Sequence, residues 1–94
     1  MEPQWLIPLK HIIDLQYRIN ILQKDIEKGN KKKEDCEEFI NYYQKNINNK
    51  LSEIQNIPSC ILDEYSEKAS EITCREGFVN VLDELNKRFR DENI

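Results

Sequence analysis

The chain has only two glycines, Gly29 and Gly77, and three prolines, Pro3, Pro8 and Pro58, in 94 residues. An all-β domain needs turn residues every ~8–12 positions. Here the unbroken stretches run from Pro8 to Gly29, from Gly29 to Pro58 and from Pro58 to Gly77. Those are helix lengths rather than strand lengths. Apolar runs are short as well. None approaches the ~18 residues that a membrane-spanning helix needs. The opening Met1-Glu2-Pro3-Gln4-Trp5 has neither a basic start nor an apolar core, so no secretory leader is expected.

Chemistry-bearing residues are equally sparse. With two isolated glycines there is no P-loop and no G-x-G-x-x-G. His11 is the single histidine. A serine or cysteine nucleophile needs a base beside it, and one histidine near the chain start meets a distant cysteine only through the tertiary fold. The three cysteines, Cys36, Cys60 and Cys74, are odd in number and widely spaced. They form no disulfide framework and no C-x-x-C, which points to a reducing compartment and a cytoplasmic protein. No H-x-x-x-H and no Glu-x-x-His occurs. His11 reads as a polar residue on a helix start, and the cysteines as buried or half-buried free thiols. Acidic neighbours such as Glu37 with Glu38 and Asp63 with Glu64 read as solvated helix faces. No metal, no cofactor and no enzymatic activity is expected.

What is present is amphipathic. The chain is 38% hydrophobic and 34% charged, too apolar for a disordered segment. Ile12, Leu15, Ile19, Leu22 and Ile26 alternate at spacings of three and four, the seam of a coiled coil. Leu9, Ile13 and Ile21 flank it, so the stripe is wide enough for two neighbours. This first helix covers about residues 8–28, and Gly29 stops it. Asn30 is the expected N-cap of a second helix over about 31–56. That helix carries Cys36, Phe39, Ile40, Tyr43, Ile47, Leu51 and Ile54 at helical spacing. The short link makes the two an antiparallel hairpin.

Ile57-Pro58 ends the second helix, because the residue before proline avoids helical angles. A third helix is expected over about 59–72, with Ile61, Leu62, Tyr65, Ala69 and Ile72 as its apolar positions. Thr73-Cys74-Arg75-Glu76 has the form of a capping box. It favours a fourth helix over about 74–91, carrying Phe78, Val79, Leu82, Leu85 and Phe89. One continuous helix from Ser59 to Asp91 is the alternative. Asp91 to Ile94 are expected to fray. The expected fold is therefore one all-α domain: an antiparallel hairpin extended to a three- or four-helix bundle with coiled-coil-like packing.

Charge is distributed unevenly. Residues 1–33 hold seven basic and four acidic side chains, and residues 34–76 hold four basic and ten acidic, in a chain of net charge −4. Lys24, Lys28, Lys31, Lys32 and Lys33 crown the first turn. The acidic total, the neighbouring Glu34 to Glu38 and the lack of interleaved aromatics argue against nucleic acid as the partner. Tyr42 and Tyr43 are adjacent and cannot both face a core. Exposed aromatics are enriched at interface centres, so Trp5, Tyr17 and Tyr42 are candidate contact residues, with Trp5 as a plug for the bundle end as the plainer alternative. The acidic stretch from Glu34 to Glu76, with Glu34, Glu37 and Glu38 as candidate contact residues, forms a second candidate surface. The leading functional expectation is a protein–protein interaction module, a small helical subunit or adaptor that binds a protein partner or itself. The alternative is a small acidic inhibitor or immunity-type protein that blocks an intracellular enzyme or nucleic-acid-binding site.

Overall fold

The computed structural model describes residues 2–69, 71 and 75–92, with the backbone alone at 75 and 76. The chain is mostly helical, with four helices among these residues: α1 (Leu6–Glu27), α2 (Lys33–Leu51), α3 (Ser59–Ala69) and α4 (Arg75–Phe89). α1 packs on α2, α3 on α4, and α4 on α1.

Pro8 falls in the first turn of α1, where its missing N–H and fixed φ are harmless. The helix ends in a Schellman turn. The Asn30 N–H donates to Asp25 O at 2.9 Å and the Gly29 N–H to Ile26 O at 3.1 Å. Gly29 takes φ +76°, which a residue with a β-carbon adopts only at a cost. Asn30 is therefore committed to closing α1. The N-cap of α2 is Lys32, without a side-chain cap, rather than Asn30. The helix also stops at Leu51, five residues before the expected Asn56. Asn48 and Asn49 are weak helix formers, and the Ser52 hydroxyl donates to Asn49 O at 2.6 Å and turns the chain.

The fold is not purely helical. β1 (Ile57–Pro58) pairs in parallel with β2 (Arg90–Asp91), with Ile57 opposite Arg90 and Pro58 opposite Asp91. α3 leaves this pair and α4 returns to it, so the second helix pair is closed at its base. Asp91, expected to fray, is held there instead. α3 ends at Ala69 and α4 begins at Arg75. The capping box led by Thr73 lies outside the described residues, as do Ile72 and Cys74.

The core gathers Leu9, Ile12, Ile19, Ile47, Leu51, Ile54, Ile57, Leu62, Ala69, Phe78, Val81, Leu82, Leu85 and Phe89, with Trp5, Leu15, Ile40 and Tyr43 packed against its edge. Each fully buried large apolar side chain contributes roughly 1.5–3 kcal/mol. The most buried stripe of α1 is Leu9, Ile12, Gln16, Ile19 and Asn20, which shares only Ile12 and Ile19 with the expected seam. Leu15, Leu22 and Ile26 are only half-buried. Gln16 and Asn20 lie where α4 crosses at Gly77, and Gln16 Nε2 donates to Asn20 Oδ1 at 2.9 Å. No buried side-chain nitrogen or oxygen among the described residues lacks a partner, as the cost of burying one unpaired requires.

Candidate protein interface on the helical hairpin

The outer half of the α1/α2 hairpin carries little of the core. On α1 the core residues stop at Ile19, and on α2 they begin at Ile47. Cys36 is buried but stands apart from that cluster. This end of the hairpin is an arm, and it holds much of the exposed apolar surface. Phe39 is 57% exposed, Tyr42 63% and Ile21 44%. Phe39, expected to face inward, points out because it neighbours Ile40, which takes the inward position. Residues 39 and 42 are three apart and adjoin on the helix surface.

Ile21, Leu22, Cys36, Phe39 and Tyr43 line a groove of about 720 Å³ between the two helices. Arg18, Asn30, Lys31, Lys32 and Asp35 form its rim. At about 100° per residue, Arg18 lies roughly 200° beyond Gln16 on α1. The groove therefore opens on the hairpin face away from α4. Two rim cations are held in place. Arg18 Nε contacts Asp14 Oδ2 at 3.1 Å, and Lys31 Nζ lies 3.6 Å from Asp25 Oδ2. Hydrogen bonding to Tyr43, then attraction to Asp14, raises the Arg18 pKa above its ordinary value. A second groove, on the other side of the hairpin, is lined by Gln23, Ile26, Glu27, Lys33, Glu37, Ile40 and Asn41.

The expected contact residues do not form one patch. Trp5 is half-buried against the core at the start of α1. Tyr42 lies beside Tyr43, which bonds Arg18, and residues 5 to 18 span about 20 Å of helix. Tyr17 is half-exposed, with its ring centroid 6.3 Å from that of Phe78, so it sits at the α1/α4 seam. Tyr42 borders the arm's apolar strip beside Phe39, and Tyr17, four residues before Ile21 on α1, adjoins it at its other end. Glu34, Glu37 and Glu38 are all exposed and carry no ion pair among the described residues. Glu34 adjoins both Glu37 and Glu38 on the surface of α2, at spacings of three and four. Glu37 turns to the second groove, whereas Glu38 is about 100° away.

Ile21, Phe39, Arg18, Lys31 and Lys32 were not picked out as interface residues by the sequence reading. Phe39 and Ile40 are adjacent just as Tyr42 and Tyr43 are, so one of each pair must turn outward, and this marks Phe39 in the sequence itself.

Of the thiols, Cys36 is buried and Cys60 is exposed on α3, contrary to the expectation for Cys60. His11 is exposed. Among the described residues no three His, Cys, Asp or Glu side chains gather as a metal would require. No helix there is long and apolar enough to cross a membrane. Comparison with family models, curated proteins and solved structures finds no match. The functional reading therefore rests on the geometry of the chain itself.

Proposed function

We propose that this chain is a non-enzymatic protein–protein interaction module, a small helical subunit or adaptor in a cytoplasmic complex. In this reading the helices form a single-domain bundle with coiled-coil-like packing along the α1/α2 contact. The arm of the hairpin carries the binding surface. The observation behind the proposal is the exposed strip of Ile21, Phe39 and Tyr42 beside an apolar groove. Large apolar side chains clustered on a polar surface mark interfaces, and aromatic anchors contribute most to such contacts. Self-association is one form of the proposal, and a monomer at high concentration in sedimentation would leave only a different partner.

The second reading is an acidic inhibitor or immunity-type protein, favoured by the exposed, unpaired Glu34, Glu37 and Glu38. One experiment separates the two. A complex recovered from the native cell is expected to be lost in Phe39→Asp and kept in the triple reversal Glu34→Lys, Glu37→Lys and Glu38→Lys. The opposite pattern supports the inhibitor and sinks the module.

A further inference from the structure

We infer that the outer face of α1 docks antiparallel on the same face of a second copy of this chain, with Lys10 of each copy against Asp14 of the other. This goes beyond the interaction-module reading, because the arm's Phe39 and Tyr42 take no part. Ile7, Lys10, Asp14, Tyr17 and Ile21 follow at alternating spacings of three and four, the period of a coiled-coil seam. All five are exposed. At about 100° per residue they centre roughly 150° around α1 from its buried stripe. The seam therefore crowns α1 on the side away from α2 and α4, where neither helix obstructs a second copy.

The charges select both the occupant and the register. Lys10 and Asp14 are consecutive positions of the seam and opposite in sign. A twofold antiparallel pair centred between them sets Lys10 of each copy opposite Asp14 of the other, and Ile7 opposite Tyr17. The twofold axis makes each of these contacts twice. A parallel pair would set Lys10 on Lys10 and Asp14 on Asp14. Sliding the antiparallel pair by one heptad would set Lys10 on Ile21 and Ile7 on Lys24. Neither alternative joins the charges.

The ion pair within each chain leaves room for this contact. Arg18 Nε holds Asp14 Oδ2 at 3.1 Å, and a carboxylate keeps acceptor sites on its other oxygen. Lys10 has no ion pair among the described residues. Residues 2–18 hold two acidic and two basic side chains, Glu2 and Asp14 against Lys10 and Arg18. The facing stretches therefore carry no net charge to push them apart. The overlap runs from about Leu6 to Arg18, roughly 20 Å of helix, and Ile21 falls beyond it. An interface of this size, below ~1,200 Å², makes a weak dimer.

The test is sedimentation equilibrium of the full chain at low salt, at concentrations up to about 0.5 mM. The mass is expected to rise towards that of a dimer, and the association to weaken as salt rises. Lys10→Asp and Asp14→Lys each set like charges together twice, and each should raise the dissociation constant at least about tenfold. Mixed one to one, the two variants should recover the wild-type association, because each then offers the other the opposite charge at both contacts. A chain carrying both changes should also associate like the wild type, which separates lost pairing from lost folding. Phe39→Asp should leave the association unchanged. A chain that stays monomeric, a mixture no stronger than its parts, or a dimer lost in Phe39→Asp overturns the inference. A monomeric chain leaves the arm with a different partner, and a dimer lost in Phe39→Asp moves the contact to the arm, so the interaction-module reading survives either failure.

Discussion

Gly77 of α4 lies against Asn20 of α1 so closely that a β-carbon at position 77 would overlap Asn20 Oδ1 and stand 2.7 Å from Gln16 Nε2. The two buried amides bond each other at 2.9 Å, so neither moves aside without breaking that contact. Gly→Ala in an open helix stabilises by about 1 kcal/mol. Here the sign should reverse. Gly77→Ala is expected to destabilise by about 1–3 kcal/mol in urea unfolding. Adding Asn20→Ala to Gly77→Ala should recover part of the loss, with a coupling of about 0.5–3 kcal/mol. A more stable Gly77→Ala protein would show that α1 and α4 do not approach in this way.

Asn20→Ala alone removes the acceptor of the Gln16 amide. Leaving a buried donor unpaired costs about 1–3 kcal/mol. Replacing Gln16 and Asn20 together by leucine and alanine removes donor and acceptor at once. The pair is expected to lose less stability than Asn20→Ala by itself. A double variant less stable than the single one would contradict this.

The described thiols differ in access. Cys60 is exposed and Cys36 is 3% exposed. In a Cys74→Ser background, a small thiol reagent at neutral pH should label Cys60 quickly and Cys36 only as the arm opens. Peptide mapping of the labelled protein reads this directly. Comparable rates at the two sites would show that the α1/α2 arm does not close over Cys36.

Arg90 ties the end of the chain to α3. Its guanidinium donates to Asp63 Oδ1 at 3.0 Å, to Glu92 Oε1 at 2.9 Å and to Asn86 Oδ1 at 2.8 Å. These carboxylates raise its pKa above the ordinary arginine value, the bond to Asp63 most. The contacts are exposed and should be screened by salt. Arg90→Ala is expected to leave the thermal midpoint nearly unchanged while hydrogen exchange speeds up around β1 and β2. Unchanged exchange there would show that the strand pair holds without Arg90.

The sequence already carried much of this fold. The αL stop at Gly29 follows from its missing side chain, and Phe78, Leu82, Leu85 and Phe89 are buried along α4 as their spacing implies, whereas Val79, expected on that face, is exposed and Val81 is buried in its place. Other features depend on tertiary context. Gln16 and Asn20 read as outward-facing polar residues, and only the crossing at Gly77 makes them interior. The β1/β2 pair is two residues on each side, too short for any alternation to register. Asn30 has the right chemistry for an N-cap, but α2 begins only at Lys33, with Lys32 in the cap position. At the candidate site, Tyr42 was legible from its neighbour Tyr43. The groove was not, because Ile21 and Leu22 on α1 meet Cys36 and Phe39 on α2 only once the hairpin has closed.

The most direct test of the interface is a photo-crosslinking residue placed at Phe39, compared with the same residue at the exposed Glu64 of α3, in the cell that makes the protein. The account predicts a discrete protein adduct from position 39, whether with a partner or with a second copy, and none from position 64. No protein adduct at 39, or the same adducts at both positions, would contradict it.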